Sequence, residues 1–380
     1  MPNWFSRLSG RAVAPAERKG LQGFVSVAGP SEASWSRRGF VSLANAGFMK
    51  NPVVYRCVRM VAEAATRVPL VVEEGGRKLT EHPLTALLAR PNSRVGGAEL
   101  LEQVYAYLLT AGNAYLEAAM LDGEVKAIYC LRPDRVRVAL GRDGHPVGYS
   151  YTAGGRTRNL SLEARPVAEV MHLALFHPLD DHYGMAPLEA AAQSLDIHNA
   201  AADWNKALLD NAARPSGALV YTADTGLTEA QFNRLKGELE ANFQGARNAG
   251  RPLVLEGGLD WKPMALTPAE LDFVELKNAA AREIALAFGV PPMLLGIPGD
   301  NTYANYAEAN RAFWRGTVIP LVMRVADDLS FWLGAGFGGA KLVAEVDGVE
   351  ALAEDRAALW ARIGGAEFLS DAEKRAMLGV

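Results

Sequence analysis

The chain has 380 residues, an apolar fraction of 49%, a charged fraction of 22% and a formal net charge of −4. Its length exceeds the roughly 250 to 300 residues at which single cores stop growing, so at least two domains are expected. The near-neutral charge excludes a wholesale basic footprint for nucleic acid, and any DNA contact has to be local.

Residues 1–48 are rich in Gly, Ser, Ala and Arg and carry more basic than acidic groups. They are expected to form a flexible basic arm, with order beginning near Asn51. The opening MPNWFSRLSGRAVAPAERKG has no continuous apolar stretch of the secretory kind, so an unexported chain is expected. NPVVYRCVRMVAEAATRVPL places Pro52 in a first helical turn and repeats apolar residues at Val54, Cys57, Val58 and Val61, the spacing of a buried helical face. Pro69 ends it and LVVEE starts a strand. HPLTALLARPN is a short helix closed by Pro91, and GAELLEQVYAYLLTAG is a longer one that runs into the strand of GNAYLEAAM. From Asp122 to Val170 short alternating runs (VKAIYCL, RVRVAL, VGYSYTA) separated by DG, RPD and RDGHP turns predict antiparallel sheet.

The second half is built differently. PLEAAAQSLDIHNAAADWNKALLDN, Pro187 to Asn211, predicts one long alanine-rich helix suited to close helix packing. GALVY, the helix EAQFNRLKGELEANFQG behind the capping box Thr228 to Gln231, and two short strands in RPLVLEGGLDWKPMAL make a β-α-β-β insert. A second capping box, Thr267 to Glu270, opens the helix ELDFVELKNAAAREIALAF. After the loop GVPPMLLGIPGDN, a helix is expected from about Tyr303 to Leu333, with a bend at Pro320, which lacks an amide donor. A glycine-rich turn, the strand KLVAEV and two terminal helices follow, the last behind the capping box Ser370 to Glu373. No run approaches the roughly 18 uninterrupted apolar residues of a membrane span, so no bilayer crossing is expected.

Motifs for chemistry are sparse. Cys57 and Cys130 form no CxxC pair and are expected as buried free thiols in a reducing compartment. Gly334 to Gly339, GAGFGG, satisfies G-x-G-x-x-G, but it follows a helix and precedes a strand, the reverse of a pyrophosphate-binding turn; a helix end and turn is expected. The loop after Gly289 has no Walker spacing, and no Gly-Lys-Ser/Thr occurs. HLALFHPLDDHYG gathers His172, His177, His182, Asp180 and Asp181, but imidazoles five residues apart share no helical face, and Pro178 and Gly184 predict a turn. His198 is expected as a packed or solvated histidine. Neither a catalytic residue nor a cofactor is predicted.

The segments NPVVYRCVRMVAEAATRVPL, HPLTALLARPN, GNAYLE, LRPDRV, GMAPLEAA, FGVPPMLLG and NTYANYAEANRAFW, in this order, resemble the portal protein family of tailed phages, which includes portals of phage-derived gene transfer agents. The resemblance implies an α+β portal-type subunit in a dodecameric ring that conducts double-stranded DNA at one vertex of a virion or phage-like particle, assembled in the bacterial cytoplasm. It implies a wing over residues 49–186, stem helices over 187–211 and 267–288, and a clip over 212–266. It further implies a tunnel-loop region over 289–302, a return to the wing over 303–350 and a reduced crown over 351–380. The implied partners are other copies of the chain, double-stranded DNA, the terminase large subunit, a head-to-tail adaptor and the major capsid protein, with no membrane. The implied DNA-channel residues are Gly296, Ile297, Pro298, Gly299, Asp300, Asn301 and Thr302 in the tunnel loop. Lys206, Lys277 and Arg282 are added on the stem helices, where salt bridges are an equally open reading. Arg234, Lys236 and Glu238 of the clip are assigned to terminase or adaptor. Two other functions stay open: a metal-dependent hydrolase using His172, His177 and His182, and a protein-binding scaffold without enzymatic activity.

Overall fold

The computed structural model describes residues 39–75, 77–79, 81–163, 166–210, 217–221, 228–231, 233–234, 237, 259–263, 273–298 and 303–378. In chain order the first half comprises α1 (Phe40–Ala46), α2 (Pro52–Thr66), β1 (Leu70–Glu74), β2 (Arg77–Leu79), α3 (Pro83–Ala89) and α4 (Gly97–Ala111). Strands β3 (Asn113–Leu121), β4 (Glu124–Leu131), β5 (Val136–Leu140), β6 (Pro146–Ala153), β7 (Arg156–Ser161) and β8 (Val170–Ala174) follow. The second half holds α5 (Pro187–Ala190), α6 (Ala192–Asp210), β9 (Gly217–Tyr221), β10 (Leu259–Pro263), α7 (Phe273–Ala287), α8 (Tyr303–Phe313), α9 (Ile319–Leu333), β11 (Lys341–Ala344), α10 (Ala353–Gly364) and α11 (Asp371–Leu378).

The architecture is α+β, and every described strand pairing is antiparallel. The pairs make three small three-stranded sheets, ordered β11-β1-β2, β4-β3-β8 and β5-β6-β7, and a two-stranded ribbon of β9 and β10. The main core is helical. Val54, Cys57, Val58 and Val61 of α2 pack with Leu100, Val104 and Leu108 of α4, Ile284 and Ala285 of α7, and Val322, Val325 and Leu329 of α9. Each such aliphatic side chain contributes about 1.5–3 kcal/mol on full burial, so this four-helix contact is the chief apolar term. A smaller cluster, Tyr115, Leu131, Val136, Tyr149, Leu160 and Val170, joins the β4-β3-β8 and β5-β6-β7 sheets.

Several elements depart from the sequence reading. Order begins before Asn51: α1 lies inside the segment expected to be a flexible arm, with Leu43 buried and Phe40 edge-on to Tyr107 of α4. It has no side-chain cap, so tertiary contacts rather than local signals hold it. The helix expected as continuous from Pro187 is interrupted at Ala191, a single turn residue between α5 and α6. The long helix after residue 302 is interrupted before Pro320, by a π-helical turn at Trp314–Val318 rather than a simple bend. Pro320 has no amide hydrogen and its ring crowds the carbonyl four residues back, so widening the preceding turn by one residue relieves the conflict.

The clip-like insert is seen in part. β9 pairs with β10, and Thr228 and Gln231 form the reciprocal capping box, with Thr228 N–H donating to Gln231 Oε1 at 3.0 Å. The segment RPLVLEGG and the capping box at Thr267 lie outside the described residues. Gly334 to Gly339 is a 3₁₀ turn ending in left-handed Gly338, as expected of a helix terminus. The capping box at Ser370 is formed, Glu373 accepting from Ser370 N–H at 2.8 Å. Helix α10 is tied to the long helix by charge: Arg311 donates to Glu354 at 2.5 Å and Arg315 to Asp355 at 2.8 Å.

Candidate nucleic-acid interface

α6 and α7 form an antiparallel hairpin. Trp204 stacks on Phe273 with ring centroids 4.2 Å apart, His198 lies within electrostatic range of Lys277, and Ser194 Oγ donates to Glu283 at 2.5 Å. These partners ascend along one helix as they descend along the other. Ala191, Ala192 and Ala201 are buried inside the subunit, whereas Ala200 and Ala207 stay exposed. Small residues thus serve close packing within the hairpin and also leave a low surface on its outside.

A buried polar knot fixes the hairpin to the helical core. Asn51 caps α2 by accepting from Val53 and Val54 N–H at 3.0 and 3.1 Å. Its amide group also donates to His198 Nδ1 at 3.0 Å and to Asn199 Oδ1 at 2.9 Å. Both donors and both lone pairs of the side chain are thereby used, which a residue only 1% exposed requires. Because His198 Nδ1 accepts, the imidazole is neutral; burial lowers its pKa and the Lys277 ammonium lowers it further. His198 is therefore a packed histidine, as the sequence suggested. Asn199 continues the knot by donating to the Ala46 carbonyl of α1 at 2.8 Å.

Of the three cations assigned to DNA on these helices, Lys206 and Arg282 have partners within the subunit. Lys206 pairs with Asp210 one turn on at 2.5 Å, and that hydrogen bond holds its ammonium above the usual lysine range. Lys50 pairs with Asp203 at 2.8 Å. Arg282 donates to the carbonyl of Pro298, so the loop itself occupies one of the groups assigned to DNA. Lys277 is half-buried. Of the loop residues, Gly296 caps a 3₁₀ turn (Pro292–Leu295) in the left-handed region, Ile297 is buried at 9% exposure and Pro298 is exposed. Ile297 thus packs within the subunit. Gly299, Asp300, Asn301 and Thr302 lie outside the described residues, as do Lys236 and Glu238 of the expected clip; Arg234 is exposed.

The histidine cluster does not converge. His172 on β8 is stacked on Tyr115 at 4.3 Å and bonded to Tyr149 Oη at 3.1 Å and Asn113 Oδ1 at 2.8 Å. Asn113 Oδ1 also accepts from Gly184 N–H at 2.7 Å, so His172 Nε2 must carry the proton and Nδ1 must accept from the tyrosine. Burial pushes the imidazole down to about 4. His177 accepts from Leu179 N–H at 3.0 Å, and Asp180 accepts from His182 and Tyr183 N–H at 2.8 and 3.0 Å, the turn chemistry expected. Among the described residues no group of three or more His, Cys, Asp or Glu is placed to hold a metal ion. Cys57 and Cys130 are free, and burial pushes both thiols up to about 12. Among the described residues no helix is long and apolar enough to cross a membrane.

Fold and site together define an α+β subunit organised around an antiparallel helical hairpin on which Lys206 and Arg282 are bonded within the subunit. The family of phage portal proteins matches residues 52–379, and the chain belongs to that family. It is similar to a subunit in the neck of an empty gene transfer agent particle computed with C6 symmetry. That likeness is 52% identity over 92% of this chain and 96% of the other, with a TM-score of 0.72. It is similar also to a subunit in the neck of a native particle computed with C12 symmetry, at 51% identity over 92% and 95% and a TM-score of 0.69. The portal protein of Enterobacteria phage HK97 is 27% identical over 351 residues, 88% of this chain and 76% of that protein.

Proposed function

We propose that twelve copies of this chain form a closed ring at one vertex of a phage or gene transfer agent particle, and that double-stranded DNA passes through its centre during packaging and ejection. The observation that carries this reading is the 51% identity, across nearly the whole chain, to a neck subunit computed with C12 symmetry. In this reading α6 and α7 line the channel and residues 212–266 form the clip, on which terminase docks first and a head-to-tail adaptor later. The major capsid protein surrounds the wing. Sliding DNA demands weak phosphate contacts, because every phosphate neutralised releases counterions and tightens binding. Lys206 paired with Asp210 and Arg282 spent on Pro298 are consistent with that demand. The ring needs neither a catalytic group nor a cofactor, and the hydrolytic motor belongs to a separate protein.

Electron microscopy of the purified full-length chain tests the reading. Rings with a central hole and twelvefold averages are expected. A monodisperse monomer under all conditions, including with capsid components present, refutes it. A protein-binding scaffold through which DNA never passes is separated by particle contents: rings present in particles that lack DNA at wild-type sequence would favour the scaffold.

A further inference from the structure

The segment Gly289 to Pro298, which leads from α7 into the loop, is fastened at both ends by side chains from the two helices it connects. At its start, Thr317 of the π-helical turn donates through Oγ1 to the Gly289 carbonyl at 2.6 Å. At its end, Arg282 of α7 donates to the Pro298 carbonyl. Between these points the segment bonds to itself and to α7: Val290 N–H donates to Ala285 O at 2.9 Å, Leu294 N–H to Pro291 O at 3.0 Å and Ile297 N–H to Pro292 O at 3.3 Å. Val290, Leu294 and Ile297 are buried. Gly289 sits at φ +65°, and a Cβ there would lie 2.5 Å from Thr317 Oγ1, so this close approach needs glycine.

Thr317 reaches Gly289 from within the five-residue π turn, Trp314–Val318. Wound as an uninterrupted α-helix, the same residues would shift in phase across this turn by about one residue, or about 100°, so the same hydroxyl would face elsewhere.

We propose that Arg282 and Thr317 are positioning residues: together they clamp the root of the tunnel loop, and Arg282 acts on DNA only through the loop it holds. This rests on the conduit reading above and replaces the sequence assignment of Arg282 as a phosphate contact. The clamp sets where the chain leaves the helical core, so loosening either end changes what the ring presents to its cargo without altering the ring itself.

The experiment uses the full-length chain assembled into rings and, in parallel, into particles, with Arg282→Ala, Arg282→Lys, Thr317→Val and Thr317→Ser. Ring mass is read by native mass spectrometry, amide exchange across Gly289 to Ile297 on DNA-free rings, and DNA content on purified particles. Wild-type ring mass is expected throughout. Arg282→Ala and Thr317→Val should speed exchange in this segment at least tenfold and lower the yield of DNA-filled particles, while Thr317→Ser, which keeps the hydroxyl, restores both. Arg282→Lys keeps a charged donor and covers the case in which the alanine variant does not assemble; it should show intermediate exchange. Unchanged exchange in Arg282→Ala, or in Arg282→Lys if only that assembles, overturns the clamp, even if DNA content falls. Fast exchange with wild-type DNA content overturns the role of the clamp in DNA handling. Absence of DNA from wild-type particles counts instead against the conduit reading on which it rests.

Discussion

Replacing Asn51 separates a helix cap from a buried network, since one side chain performs both tasks. Asn51→Ala removes the two bonds to Val53 and Val54 N–H, a cap worth about 1 kcal/mol. It also strands His198 Nδ1, on a residue 4% exposed, and the half-buried Asn199 Oδ1, each loss worth about 1 kcal/mol or more when a buried partner stays behind. The expected total is about 3 kcal/mol. Asn51→Ser keeps a capping oxygen but lacks the amide donors, so it should recover only the cap and remain about 2 kcal/mol below wild type. Urea unfolding of the unassembled subunit at pH 8, followed by circular dichroism, measures both. If the serine variant falls within about 0.5 kcal/mol of wild type, the amide donors to α6 contribute nothing and the reasoning fails.

Two further outcomes are expected. The folded chain holds His172 neutral until about pH 4, against 6.5 for the free side chain, so the unfolded chain binds more protons between those values. Stability should therefore fall as pH drops through that window, by up to about 3 kcal/mol, and His172→Gln should flatten that part of the profile in urea titrations at pH 7 to 4.5. Gly112→Ala places a methyl 2.4 Å from the Gly184 carbonyl at φ +70° and should destabilise by more than about 2 kcal/mol. Gly144→Ala, at φ +81° with nothing within 4 Å, should lose only about 1 kcal/mol, as thermal melting would report.

Local signals were legible in the sequence, and long-range ones were not. The α2 face of Val54, Cys57, Val58 and Val61 was readable because helical spacing places them together, and Pro52 beside Asn51 marked its start. The turn around Pro178 and Gly184 was readable from Asx chemistry. By contrast, α1 carries no side-chain cap, and its contacts with α4 and α6, distant in sequence, hold it as a helix. Pro320 announced an interruption but not that it would be a π turn, because a missing donor says nothing of how neighbouring carbonyls rearrange. At the candidate interface, Lys206 was identifiable as part of an i,i+4 pair. The role of Arg282 was not, since its partner is a backbone carbonyl sixteen residues away. His172 was noticed for the wrong neighbours: Tyr149 and Asn113, 23 and 59 residues distant, determine its state.

The π turn at Trp314–Val318 also constrains how this gene can vary. The turn holds one residue more than an α-helical turn, so deleting one there would let the long helix close its ladder as ordinary α-helix with Tyr303–Phe313 left nearly in phase with the core-embedded half. Arg311, which bonds to Glu354 of α10, would then keep its place. This stretch should therefore tolerate the loss of one residue far better than the gain of another, which would turn Tyr303–Phe313 by about 100°.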